Sequence, residues 1–144
     1  TLFPYTTLFR SVGKVLKVVG ITAAGITLFV AGKKIVRRIK ANKAVRDAQK
    51  AINEKDLSYE SAWYSSGAES LKKAMDGNSW YSNYDETSIK RVLSNLKSSS
   101  DWWQLYKDYG VDKYDRNLTS ALQSDGDMDV AEYASILKKI GVTL

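Results

Sequence analysis

A chain of 144 residues with no cysteine and no histidine has no thiol nucleophile, disulfide, imidazole base or Cys/His zinc site, so any catalysis would fall to carboxylate, lysine, tyrosine or serine. Its formal charge of +6 is unevenly placed: residues 12–50 hold ten Lys or Arg and one acid, whereas residues 51–144 hold eleven basic and fifteen acidic residues. The basicity belongs to one segment and gives no ground for reading the whole chain as a nucleic-acid binder.

Residues 1–11, from Thr1 to Ser11, match codon by codon the translation of a short-read sequencing adapter. They are read as foreign, as a fusion scar would be, and as standing where the natural N-terminus was. Pro4 is the single proline of the chain. Without it, a composition rich in Ala, Leu, Lys and Ser predicts mostly helix.

Residues 12–38 are expected to form a transmembrane helix with a basic flank. Val18 to Gly32 are fifteen uncharged residues between Lys17 and Lys33, a helical rise of about 22 Å against a hydrocarbon core of about 30 Å. Val15, Leu16, Ile35 and Val36 lengthen the apolar stretch, and Lys17 and Lys33 can snorkel to the two interfaces. Val18, Ile21, Ile26, Leu28, Phe29 and Val30 are the expected lipid-spanning residues, and Lys33, Lys34, Arg37 and Arg38 the headgroup and topology residues. Gly20 and Ala24 have the small-residue spacing of a close helix pair, and so of a homo-oligomer. Seven basic residues from Lys33 to Arg46 against Lys14 and Lys17 place the C-terminal domain in the cytoplasm by the positive-inside rule, provided that the lost start was short.

Residues 39–66 read as a juxtamembrane amphipathic helix and linker. Ala41, Val45, Ala48 and Ile52 recur at helical spacing, with Lys40, Lys43, Arg46, Lys50 and Lys55 between them. Two readings stand for the basic residues: attraction to anionic headgroups, or an ordinary solvated flank behind a stop-transfer helix. Aromatics for base stacking are not interleaved with them, so nucleic acid is not an expected partner. Leu57 to Gly67 is rich in turn residues and aromatics and reads as a break.

From residue 67 to 144 five short helices follow. The first runs from Ala68 to Met75, with Gly77 as its C-terminal cap. The second is capped by Asp85 and carries Ile89, Val92, Leu93 and Leu96. The third follows Ser99-Ser100, places Trp102, Leu105, Tyr106 and Tyr109 on one face, and ends at Gly110. The fourth holds Leu118 and Leu122. The fifth opens with the capping-box-like Asp129-Val130-Ala131-Glu132, carries Tyr133, Ile136, Leu137 and Ile140, and closes at Gly141.

The run Leu71, Ala74-Met75-Asp76-Gly77, Asp85-Glu86, Ile89, Val92-Leu93, Leu105, Tyr109-Gly110, Leu118, Leu122, Ser124, Tyr133, Ile136-Leu137 resembles one annexin repeat over residues 68–141, and is similar to single-repeat domains of bacterial and bacteriophage genomes. The resemblance implies a compact five-helix bundle and calcium-dependent binding to acidic phospholipid. The Gly-x-Gly-Thr loop that such calcium binding uses is replaced by Gly77-Asn78-Ser79-Trp80-Tyr81-Ser82-Asn83-Tyr84, so the fold is carried over and the metal site is not. Asp125-Gly126-Asp127-Met128-Asp129 opens like an EF-hand loop, but Val130 and Ile136 stand where its glycine and glutamate are required.

The expected partner surface is aromatic: Trp80, Tyr81 and Tyr84 in a polar loop, and Trp103, off the face of Trp102. Their competing reading is completion of a small core, with Trp103 packed on the linker around Trp63. Glu60 and Glu69 are the nearest thing to an acid and base pair, and nothing in their spacing marks them as one. The expectation is therefore an all-α, single-pass membrane protein of bacterial or phage origin. Its helical domain is an interaction or scaffold module for a protein partner, with no catalytic residue, metal or cofactor. A phage virion or lysis component inserting its helix into the host membrane is the alternative, and a calcium-dependent phospholipid binder a third.

Overall fold

The computed structural model describes residues 23–76, 84–124 and 129–144, with side chains from Gly32 onward. Among them the protein is all-helical, with no strand: α1 (Ala23–Ala51), a 3-10 turn (Glu54–Asp56), α2 (Ser61–Ala74), α3 (Glu86–Ser94), α4 (Ser99–Tyr109), α5 (Leu118–Leu122) and α6 (Val130–Lys138). The chain divides into residues 1–37 and residues 38–144.

In the first unit, Val18, Gly20 and Ile21 lie outside the described residues, while Ala24, Ile26, Leu28, Phe29 and Val30 lie in α1. Among the described residues no helix is long and apolar enough to cross a membrane. Of the uncharged run, the ten residues from Ala23 to Gly32 fall within the described part of α1 and rise about 15 Å before Lys33, Lys34, Arg37, Arg38 and Lys40 follow.

The second unit opens with the amphipathic half of α1, which buries Ala41 and Ala48 and packs Ala44 and Val45 on the core. The following linker is stitched to the start of α4. Asn53 N–H donates to Ser100 Oγ (3.1 Å), Ser98 Oγ–H to Asp56 O (2.8 Å) and Ser58 N–H to Asp101 Oδ1 (2.8 Å).

Helix α2 starts at Ser61, seven residues before the expected Ala68, so the break read over residues 57–67 and the boundary at 66/67 both run into a helix. Tertiary burial overrides the weak helix propensity of its serines and glycine. Tyr64, Gly67, Ala68, Leu71 and Ala74 form one buried stripe at helical spacing, and a side chain at Gly67 would not fit freely. A Cβ there would meet Leu105 Cδ1 at 3.3 Å and Val92 Cγ1 at 3.5 Å, so Gly67 is where α3 and α4 close on α2.

The remaining helices are placed by their caps and apolar faces. Asp85 Oδ1 accepts from Ser88 N–H (3.1 Å) before α3. Ser98 and Asp101 form a reciprocal capping box at α4, and Gly110, at φ +60°, ends it. Asn117 Oδ1 accepts from Ser120 N–H (2.9 Å) at α5. The expected box at α6 is absent: Asp129 makes no side-chain cap and instead accepts from Lys90 Nζ (3.0 Å). Past α6, Gly141 takes φ +77° and Val142 N–H returns to Leu137 O (3.1 Å), the αL ending that glycine favours. α2 packs on α4 and α3, α3 on α6, and α5 on α4. Trp102, Tyr64, Tyr109, Tyr133, Leu71, Leu105 and Leu137 are fully buried between them, each worth about 1.5–3 kcal/mol or more relative to exposure.

Candidate functional site

The most organised polar surface lies where the loop 110–117 meets the C-terminal end of α2. Asp112 builds that loop. Its Oδ1 accepts from the backbone N–H groups of Tyr114 (2.9 Å) and Arg116 (2.9 Å), and its own N–H returns to Arg116 O (2.9 Å). This is an Asx turn closed on itself. Asp115 absorbs the remaining curvature at φ +60°, a left-handed conformation that aspartate tolerates better than most residues.

Arg116 ties the loop to the body. Its Nε (2.8 Å) and Nη2 (2.8 Å) bond Asp112 Oδ2, its Nη1 donates to Tyr84 Oη (2.6 Å), and its Nη2 reaches the Met75 carbonyl at the end of α2 (3.4 Å). Tyr109 O–H donates to Asp112 Oδ2 (3.1 Å). Burial first, then the Asp112 charge, holds the Tyr109 phenol far above its usual pKa.

The loop thereby presents Lys113 and Tyr114 to a cleft of about 210 Å³, whose other wall includes Lys72, Lys73 and Met75. Tyr114 is 45% exposed. Its ring lies 5.1 Å from Lys113 Nζ and 4.8 Å from Arg116 Cζ, and its O–H donates to Asp76 Oδ1 (3.2 Å). Asp76 also pairs with Lys113, which holds the Asp76 pKa down and the Lys113 pKa up. Lys72 Nζ sits 5.4 Å over the Tyr109 ring. Met75, Asp76, Tyr84 and Tyr109 were expected in other roles, whereas Lys72, Lys73, Asp112, Lys113, Tyr114 and Arg116 were not singled out by the sequence; Asp112 two positions before Tyr114, after the helix-ending Gly110, was the available signal.

Two other polar clusters stabilise helix junctions. Asp101, buried, accepts from Ser58 N–H, Tyr64 O–H (2.6 Å), Lys97 N–H (2.9 Å) and Ser98 N–H (3.2 Å). Burial and the bond to Asp101 raise the Tyr64 pKa to about 12. Lys90 joins α3 to α6 through Glu132 (2.7 Å) and Asp129 (3.0 Å), with Glu86 at 3.8 Å. Glu132 first, then Asp129, raises the Lys90 pKa.

Of the expected partner surface, Tyr84 and Trp103 fall within the described residues. Trp80 and Tyr81 lie outside the described residues, as do Asp125 and Asp127 of the EF-hand-like run. Tyr84 is half-buried and held at its hydroxyl, accepting from Arg116 and donating to Ala121 O (3.3 Å). Trp103 is half-buried and edge-on to Trp102 (6.3 Å) and Tyr106 (5.6 Å), whereas Trp63 stacks on Tyr59 (4.2 Å). Glu60 and Glu69 are exposed. Of the expected headgroup residues, Lys33, Lys34 and Arg37 are exposed on α1, and Arg38 Nε lies 3.8 Å from Asp115 Oδ1. Among the described residues no group of three or more acidic side chains is arranged to hold a metal ion.

No family model matches the chain, and neither a curated protein nor a solved structure matches it.

Proposed function

We propose that the protein is a membrane-anchored interaction module, held by its N-terminal helix and presenting an annexin-like five-helix domain on the cytoplasmic side. The carrying observation is the character of α1 after its uncharged stretch. Ile35 (59% exposed), Val36 (50%) and Ile39 (59%) are bare large aliphatics, set among Lys33, Lys34, Arg37, Arg38 and Lys40. Apolar side chains left in water cost free energy, and interleaved cations favour the anionic headgroup layer, where both kinds of residue are satisfied. The uncharged run Val18–Gly32 immediately before them supports insertion beyond that layer. The sequential helix order and buried core support the annexin-like description of the domain, and the basic flank supports its cytoplasmic side.

Membrane fractions of cells making the full chain, washed with alkaline carbonate, test the anchor. Retention in the pellet is expected, with release when Ile26, Leu28 and Val30 are all changed to Lys. Release of the unaltered chain would refute the anchor. Since the chain has no cysteine, a single Ser94→Cys reports orientation. It should resist a membrane-impermeant maleimide in intact cells and react after lysis.

A further inference from the structure

The cleft between α2 and the loop 110–117 has the charge, size and rigidity of a small anion site. Lys72, Lys73, Lys113 and Arg116 line it against Asp76 and Asp112, leaving two positive charges in excess. The carbonyl end of α2 opposes this with about half a negative charge, and Arg116 already answers it at the Met75 carbonyl. The acids are also committed: Asp112 to Arg116 and the turn, Asp76 to Lys113 and Tyr114. Lys72 and Lys73 therefore supply the excess. About 210 Å³ is below the roughly 300–1,000 Å³ of drug-sized ligand sites, so the cleft itself takes one compact anionic group. Met75 and the exposed Tyr114 ring give that group an apolar edge.

We infer that this cleft binds a phosphomonoester, carried either on a lipid headgroup or on a small soluble ester, with Lys72 and Lys73 as its main charge partners and Lys113 as the third. A phosphomonoester at neutral pH carries up to two negative charges and acceptor oxygens on three sides, matching lysines that approach from two walls. The loop needs no rearrangement to present Lys113, because Asp112 and Arg116 already fix it.

Calorimetric titration of the full chain in nonionic detergent tests this with three probes: inorganic phosphate, short-chain phosphatidic acid and short-chain phosphatidylcholine. Phosphatidic acid and inorganic phosphate should bind, phosphatidylcholine should not, and binding should weaken with salt. The double variant Lys72→Gln/Lys73→Gln should bind at least ten-fold more weakly with an unchanged melting temperature, whereas Lys138→Gln on the exposed end of α6 should bind as the parent does. Binding of phosphatidic acid alone identifies a lipid headgroup, and binding of inorganic phosphate alone a soluble ester. Binding of neither, or binding equal in the double variant and the parent, overturns the site. Phosphatidic acid drawn to the basic flank of α1 would bind the parent and the double variant alike, so the cleft is read from the difference between the two, which stands whether or not the N-terminal helix enters a membrane.

Discussion

Replacing Asp101 by asparagine tests the most connected buried group of the domain. The substitution keeps the side-chain shape and removes half of its acceptors. Turned one way, its NH2 faces Ser58 N–H beside a Tyr64 hydroxyl that can accept from it; turned the other, it faces the N–H groups of Lys97 and Ser98. Hydrogen bonds to a charged group contribute about 1.5–3 kcal/mol each, and a donor left behind loses its partner in a buried site. Even the better orientation loses one such bond, about 1.5 kcal/mol or more. At about 4–8 °C per kcal/mol for a domain of this size, the melting temperature falls by at least about 6 °C. Near-ultraviolet circular dichroism of the full chain in mild detergent reads this transition through the packed tryptophans and tyrosines. A second readout is pH. Burial by itself would raise the Asp101 pKa, but the hydrogen bonds from Tyr64, Ser58 and Lys97 outweigh it and hold the folded value below the usual one. As pH falls the unfolded chain therefore takes this proton first. The stabilisation is complete above the unfolded value of about 3.9 and drains away as pH drops through the folded value. The gap between the parent and Asp101→Asn should thus narrow below about pH 4. A melting temperature within about 3 °C of the parent at neutral pH, or a gap that stays constant into acid, would refute the assignment.

Gly67→Leu should destabilise by about 2 kcal/mol or more through overpacking against Leu105 and Val92, while Gly67→Ala should be nearly neutral, its helix propensity offsetting the 3.3 Å contact; urea midpoints separate the two. Arg116→Lys cannot reproduce a fork that serves Asp112, Tyr84 and Met75 at once and should lower stability by about 2 kcal/mol, read as a fall in urea midpoint with unchanged slope. In alkali, Tyr64, Tyr106 and Tyr109 all have raised phenol pKa values. Their stabilisation is whole below about pH 10 and is lost as pH rises through the folded values. Absorbance titration should show these three phenols ionising only as the fold opens.

The helices after residue 85 were legible because local and global signals agree there. Asp85, Ile89, Val92 and Leu93 announce α3, and the Trp102-Leu105-Tyr106-Tyr109 face with Gly110 announces α4. The first two turns of α2 were hidden because Ser61, Ser65, Ser66 and Gly67 are turn formers by propensity, and only contact with α3 and α4 makes Gly67 an asset in a helix. Asp129 illustrates a second limit: its spacing to Glu132 suits a capping box, yet Lys90, 39 positions earlier in the chain, takes its carboxylate. The cleft was least legible of all. Lys72 and Lys73 precede Lys113 and Tyr114 by about forty residues, and no periodicity reports that a loop and a helix end will meet.

The stitches between the linker and α4 bear on how this domain opens. A connection after a long helix is ordinarily the first place a protease cuts and the first to exchange its amides. Here Asn53, Asp56 and Ser58 are bonded to Ser100, Ser98 and Asp101, so the backbone of the connection gains solvent only when the first turn of α4 unwinds. The segment and that turn form one cooperative opening unit, and amide protection of Ser58 and Asn53 should track that of α4 and not that of a loop.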